Sequence, residues 1–212
     1  NYGTTLIGDE FSGMVFGDEH LYSYNLWLHY NSENDRYFTT HGASLEAGYS
    51  MYTDDFVHYR SSSPVHVVNG RWRFAVRLTD RLTLQPAVYG RILLGNEMPW
   101  CLSNFIGGDY AGHYVEQQLP FAGIGNIEVA DNAFVATGIK LQQRIMDNNY
   151  LIARAAFALN SGKIRNLIDS PLLHGYQLSW AYNSMFGPVN ANIGYSSKTR
   201  RVFFYLNLGY EF

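Results

Sequence analysis

Residues 202–212 read VFFYLNLGYEF, and an apolar side chain occupies every second position. Side chains of a β-strand alternate between the two faces of its sheet, so this period of two predicts a strand with one apolar face. That face carries Val202, Phe204, Leu206, Leu208, Tyr210 and Phe212. The opposite face mixes aromatic residues with Asn207, Gly209 and Glu211. The stretch therefore predicts a β-strand that separates two different environments.

The same alternation recurs upstream and predicts about ten strands, most of roughly 9–13 residues, as in tilted membrane-spanning strands. Short turns are predicted at 31–35, 79–80, 146–149 and 185–188, and longer loops at 53–64, 95–115 and 161–173. Outer-membrane barrels show this arrangement, with short periplasmic turns opposite long outer loops. We therefore predict an all-β fold, a transmembrane antiparallel β-barrel, with residues 1–212 as a single domain in the bacterial outer membrane. A soluble β-sandwich or barrel is the alternative, although the strand length and the uncharged apolar face argue against it.

Tyrosines near the predicted strand ends are expected to form the aromatic girdles of such a barrel. The pairs are Tyr22 and Tyr30, Tyr37 and Tyr49, and Tyr176 and Tyr182.

The composition excludes several classes of protein. Charged residues make up 16% of the 212 residues, against about 25% in ordinary soluble domains. The net charge of -3 provides no field to recruit nucleic acid, so no nucleic-acid partner is predicted. The single cysteine excludes a disulfide framework and a cysteine-based zinc cluster.

Basic residues dominate the polar face of the predicted strands, which would line the barrel lumen. They are Arg71, Arg73, Arg77, Arg91, Lys140, Arg144 and Arg154. Glu46 is the one evident acidic residue on the same strands. A basic lumen suits anions, or it receives an acidic loop or plug; a solvated, internally paired interior is the plainer alternative.

The sequence contains no motif of catalytic chemistry. The Gly-x-Ser-x-Gly elbow of serine hydrolases is absent, and the seven histidines lack zinc-binding spacing. We predict no catalytic residue, metal or cofactor in these residues. Asp54 and Asp55 are candidates for a loop calcium site or, alternatively, for a solvated turn.

The loop between the strands that end near Leu94 and begin near Ile127 contains NFIGGDYAGHY at 104–114 and EQQLPFAG at 116–123. It resembles the long sixth extracellular loop of Omp85-superfamily barrels, which folds back into the lumen. The similarity is greatest to the C-terminal barrel of the patatin-like phospholipases of Bacteroidetes. The resemblance rests on the motif residues Gly107, Gly108, Gly112, His113 and Tyr114. The arginine expected at the loop tip is missing, and His113 would supply a weaker, pH-dependent charge in its place.

The resemblance implies that these residues form the C-terminal part of a 16-stranded barrel, with five strands after the loop. Phe204, Tyr210 and Phe212 resemble the C-terminal signal that is read by the outer-membrane insertion machinery.

Three functions remain open at this stage. The resemblance implies a barrel that anchors or exports a patatin-like lipid hydrolase domain, whose Ser-Asp dyad would lie upstream of these residues. The alternatives are an Omp85-type translocation or insertion barrel without catalysis, and a small anion-preferring channel. The partners expected are outer-membrane lipids and lipopolysaccharide, the insertion machinery and other outer-membrane proteins. The basic loop residues that could contact lipopolysaccharide phosphates, or simply be solvated, are Lys163, Arg165, Lys198, Arg200 and Arg201.

Overall fold

The structure, a computed structural model, describes residues 21–108 and 117–208. Twelve strands occur in these residues. In chain order they are β1 (Tyr22–Asn31), β2 (Gly42–Thr53), β3 (Val65–Arg77), β4 (Leu82–Leu94), β5 (Asn104–Ile106), β6 (Gln118–Leu119), β7 (Glu128–Ala130), β8 (Ala133–Met146), β9 (Asn149–Ser161), β10 (Leu173–Ser184), β11 (Gly187–Ser196) and β12 (Val202–Leu208). Two single-turn 3₁₀ helices lie at Trp100–Leu102 and Ile164–Asn166. Within the described ranges, no helix is long and apolar enough to span a membrane.

Nine of the strands form one antiparallel sheet in the order β1-β2-β3-β4-β8-β9-β10-β11-β12. Strands that follow one another in the chain are neighbours in this sheet. The exception is β4, which pairs with β8 because β5, β6 and β7 lie in the long connection between them. The prediction of an antiparallel all-β fold is confirmed, with nine long strands in the described residues where about ten were expected for the whole chain. In the described residues β1 pairs with β2 alone and β12 with β11 alone, so the sheet is open at both edges.

The two faces of the sheet differ completely in charge. All eight charged residues of the nine strands lie on one face, which we call the inner face; they are Glu46, Arg71, Arg73, Arg77, Arg91, Lys140, Arg144 and Arg154. The outer face of these strands carries no Asp, Glu, Lys or Arg, and its large apolar side chains are exposed, as Leu178, Ile193 and Leu206 illustrate. A charge-free apolar band of this kind is what hydrocarbon requires of a barrel wall.

Six of the connections are short or long as predicted. Short connections join β3 to β4, β8 to β9 and β10 to β11, all at one end of the sheet. Longer connections join β2 to β3, β4 to β8 and β9 to β10 at the opposite end.

The connection from β1 to β2 differs from the prediction. A turn was expected at 31–35 with Tyr37 already on the next strand, but β2 begins only at Gly42. Asp35 and Asn34 accept backbone hydrogen bonds within 32–41, and these caps give the segment an ordered alternative to strand pairing. The girdle role predicted for Tyr37 is therefore wrong. Tyr22 and Tyr30 lie on the outer face of β1, and Tyr176 and Tyr182 on that of β10.

Candidate functional site

The seven basic residues that the sequence assigned to the lumen all lie on the inner face, which two segments of the chain cover. The first segment is the β1–β2 connection, residues 32–41, which we call the inner turn. The second is the β4–β8 connection, residues 95–132, which we call the return loop; the structure describes it at 95–108 and 117–132.

An ion pair joins the inner turn to the wall of the sheet. Arg73 on β3 donates from Nε to Glu33 Oε1 at 2.6 Å and from Nη2 to Glu33 Oε2 at 2.5 Å. The Glu33 side chain is only 3% exposed and that of Arg73 is 26% exposed. Two parallel bonds between a guanidinium and a carboxylate fix orientation as well as distance. The pair therefore holds the turn in one position against β3.

Further contacts bind the inner turn to β3, β4 and β8. Gln85 Nε2 donates to the carbonyl oxygen of Thr39 at 2.7 Å. Lys140 Nζ donates to the carbonyl oxygen of Tyr37 at 3.3 Å, and Arg77 Nη2 donates to Thr40 Oγ1 at 3.0 Å. Basic side chains of the inner face thus pair with backbone and hydroxyl oxygens of the inner turn.

Phe38 anchors the inner turn through apolar contact. Its ring is buried, stacks on Tyr150 of β9 with ring centroids 4.2 Å apart, and packs with Ile152 and Ala181. The sequence reasoning missed both Phe38 and Glu33. A signal was present, because Phe38 is a large apolar residue inside an otherwise polar, cap-rich turn.

The return loop folds onto the inner face near its other end. Arg91 of β4 is buried, and its Nη1 donates to the carbonyl oxygen of Leu102 at 2.7 Å and to Asn104 Oδ1 at 2.6 Å. Phe121 and Ile124 of the loop are buried in one cluster with Tyr89 and Phe134 of the sheet. The resemblance implied that this loop enters the lumen, and its described parts do lie against the inner face.

The Gly107-Gly108 motif has a structural reason. The backbone φ angles of Gly107 and Gly108 are 108° and 77°, in the left-handed region that residues with a Cβ rarely adopt. The backbone N–H of Gly107 donates to Leu119 at 3.0 Å, that of Gly108 donates to Ile124 at 3.1 Å, and Gln118 Nε2 donates to the carbonyl oxygen of Gly107. The motif thus turns the chain and joins the two described arms of the return loop. The tip residues Gly112, His113 and Tyr114 lie outside the described residues.

A cavity of about 570 Å³ lies between the inner turn and the inner face. Basic side chains from three strands line it, namely Arg71 and Arg73 of β3, Lys140 of β8 and Arg154 of β9. Glu33 and Glu46 line it as well. Arg91 belongs to the return-loop contact, and Arg144 contacts the β3–β4 turn, donating to the carbonyl oxygen of Asp80 at 3.4 Å. Of the predicted insertion signal, Phe204 lies exposed on the outer face of β12, whereas Tyr210 and Phe212 lie outside the described residues.

Asp54 and Asp55 in the β2–β3 loop cap their own backbone. Asp54 Oδ2 accepts from the N–H of Arg60 at 2.7 Å. Asp55 Oδ1 accepts from the N–H groups of His58 and Val57, and these hydrogen bonds hold the pKa of Asp55 below its ordinary value of 3.8. No group of three or more His, Cys, Asp or Glu side chains suited to a metal ion occurs in residues 21–108 and 117–208.

A charge-free apolar outer face, long antiparallel strands and an inner face covered by the chain's own segments define the wall of a membrane-spanning β-barrel. The family model that matches the chain, over residues 3–212, is described as the OMP85 superfamily. The chain therefore belongs to the OMP85 superfamily. Membership supports an outer-membrane β-barrel of the Omp85 type, in contact with other membrane components. No curated protein matches the chain.

Proposed function

We propose that this chain is an integral outer-membrane β-barrel that anchors or exports an attached domain, and that this domain is a patatin-like lipid hydrolase. The barrel part rests on superfamily membership and on the charge-free outer face. The observation that supports the anchoring role is the covered inner face, because the inner turn and the described parts of the return loop both lie against it. The identity of the attached domain rests on the resemblance of the Gly107-Gly108 loop alone.

The test of the attached domain uses the native protein isolated from its outer membrane. We expect the polypeptide that contains these residues to react with a fluorophosphonate probe, which labels activated serines. We also expect it to release fatty acid from phospholipid vesicles. Heat-denatured protein is the control. A protein that fractionates with the outer membrane but neither reacts nor hydrolyses lipid would overturn the hydrolase part and leave the barrel part standing.

Superfamily membership also supports a second function, a translocation or insertion barrel without catalysis. That function predicts complexes with other outer-membrane proteins and no reaction with the serine probe. Cross-linking in intact cells, followed by identification of the partners, separates it from the first.

The basic cavity supports a third function, a small anion-preferring channel. Four of the seven inner-face basic residues donate hydrogen bonds to the inner turn or to the return loop, and this arrangement argues against a wide pore. Planar-bilayer recording tests this function. Anion-selective current that disappears when Arg71, Arg73 and Arg77 are neutralised would favour it, and absence of current would remove it.

A further inference from the structure

We propose that a groove in the outer face, together with the β11–β12 turn at its end, binds one molecule of lipopolysaccharide. The groove receives a fatty acyl chain, and the turn contacts the phosphates of the headgroup. The proposal goes beyond the anchoring role and does not depend on the attached domain. It rests only on the outer-membrane barrel part of the proposed function.

Small side chains form the floor of the groove. Ala153 and Ala155 are successive outer-face residues of β9, and each lies between larger side chains of β8 and β10. These larger cross-strand partners are Ile139, Leu141, Tyr176 and Leu178. The groove continues across β10 and β11 to Val202 at the start of β12, and its volume is about 530 Å³. Its outer-face lining is aliphatic and aromatic, so it suits a hydrocarbon chain.

The groove favours an acyl chain through packing. Lipid tails are as apolar as the barrel wall, so no hydrophobic driving force operates between them within the membrane. A chain that fills a depression gains van der Waals contacts on its sides as well as below, whereas a flat wall contacts it from one side only. The groove alone therefore retains a chain without selecting among lipids, and selection requires polar groups at its end.

The β11–β12 turn supplies such groups. Tyr195 and Val202, on either side of the turn, both line the groove. The turn contains no acidic residue, and its basic residues, all exposed, are Lys198, Arg200 and Arg201. The backbone N–H of Arg200 donates to the carbonyl oxygen of Ser196 at 2.8 Å, and that of Lys198 donates to Ser196 Oγ at 3.2 Å. These bonds fix the backbone that carries the positive charges at the end of the groove.

The position of the turn matches the location of the lipopolysaccharide phosphates. The turn lies at the end of the sheet that carries the long connections, which in outer-membrane barrels faces outward. Lipopolysaccharide occupies the outer leaflet and presents its phosphates at that surface, where guanidinium groups can pair with them in bidentate fashion. The neighbouring β9–β10 connection adds Lys163 and Arg165 against one acidic residue, Asp169. The charge of this end of the sheet thus complements a phosphorylated glycolipid.

The test measures binding of fluorescent bisphosphorylated lipid A, the part of lipopolysaccharide that carries the acyl chains, to the full protein in detergent by fluorescence anisotropy. Dephosphorylated lipid A and phosphatidylglycerol are the competitors. Ala155→Leu fills the groove, and its control is Ala191→Leu, on the outer face of β11 beside Trp180 and outside the groove. Arg201→Gln removes a phosphate contact, and its control is Arg81→Gln, in the exposed turn at the opposite end of the sheet. The change in gel mobility on heating verifies that each variant is folded, and light scattering gives its oligomeric state.

We expect saturable binding of lipid A, with weak competition by the other two lipids. Arg201→Gln should weaken binding about fivefold, Ala155→Leu should weaken it to a comparable extent, and the two controls should leave it unchanged. Absence of binding, or equal losses in site and control variants, would overturn the proposal. Equal competition by phosphatidylglycerol would also overturn it, because the groove would then accept any lipid.

A different occupant would also be detected. A dimer that Ala155→Leu dissociates would overturn the proposal, since a second copy of the chain would then fill the groove. None of these results bears on the serine probe or on the membrane fraction. Failure of the lipopolysaccharide site is therefore distinguishable from failure of the proposed function.

Discussion

Replacing Glu33 with glutamine removes the charge that fixes the inner turn to β3. The carboxylate is almost wholly buried and accepts two hydrogen bonds from Arg73. Removing one partner of a fully buried ion pair costs about 3–5 kcal/mol. Since about a quarter of the Arg73 side chain still reaches solvent, we take a lower value of about 2–3 kcal/mol for the docking of the turn.

That cost changes how often the inner turn is open. About 2–3 kcal/mol corresponds to a roughly 30- to 150-fold larger open population, because each 1.4 kcal/mol is a factor of ten. The rate at which trypsin cleaves the turn measures this open population. Arg36 lies in the turn, and the buried residues Phe38 and Thr39 that follow it must leave their sites before a protease can bind the segment. Where opening and closing are fast, the rate of cleavage tracks the open population.

The assay follows cleavage after Arg36 by mass spectrometry in the folded protein in detergent. Glu46→Gln is the control, because that carboxylate is partly exposed and its contact with His29 is long, at 3.8 Å. The double variant of Glu33 and Arg73 should lose less than the sum of the single losses, since the two residues form one pair. If cleavage after Arg36 is no faster in Glu33→Gln than in Glu46→Gln, the ion pair does not hold the turn and the reasoning is refuted.

Four further predictions concern other parts of the chain. Phe38→Ala should lower the free energy of unfolding by about 3 kcal/mol, because a buried ring is lost; chemical denaturation in detergent micelles measures it. Leu178→Lys should cost about 2–4 kcal/mol in lipid, whereas Met185→Lys, in an exposed turn, should cost little; a similar loss for both would contradict a lipid-facing β10. The order of the β2–β3 loop should decline only as the pH falls through the lowered pKa of Asp55, since the ionised carboxylate accepts the backbone hydrogen bonds; amide exchange should show this, and Asp55→Asn should abolish the pH dependence. Phe212→Glu should reduce the amount of folded barrel in the outer membrane, and normal levels on heat-modifiability gels would count against the terminal signal.

The period-two pattern predicts the wall of the barrel because that information is local. Each strand places its own apolar residues on one face, and hydrocarbon accepts no charge there, so reading alternate positions is enough to assign Arg71, Arg73 and Lys140 to the inner face. The same reasoning gave a wrong prediction at the inner turn. Tyr37 continues an alternating pattern, but Asp35 and Asn34 cap the backbone around it and end the strand pairing.

The sequence by itself determined the strands, their two faces, the charge of the interior and the resemblance of the return loop. Only the tertiary structure decided which groups meet inside. Glu33 and Arg73 are 40 residues apart, and Lys140 and Tyr37 are 103 apart. Such contacts depend on the order and register of the sheet and on which segments fold inward. Those are properties of the packed chain, because no local preference of a residue specifies its partner across a barrel.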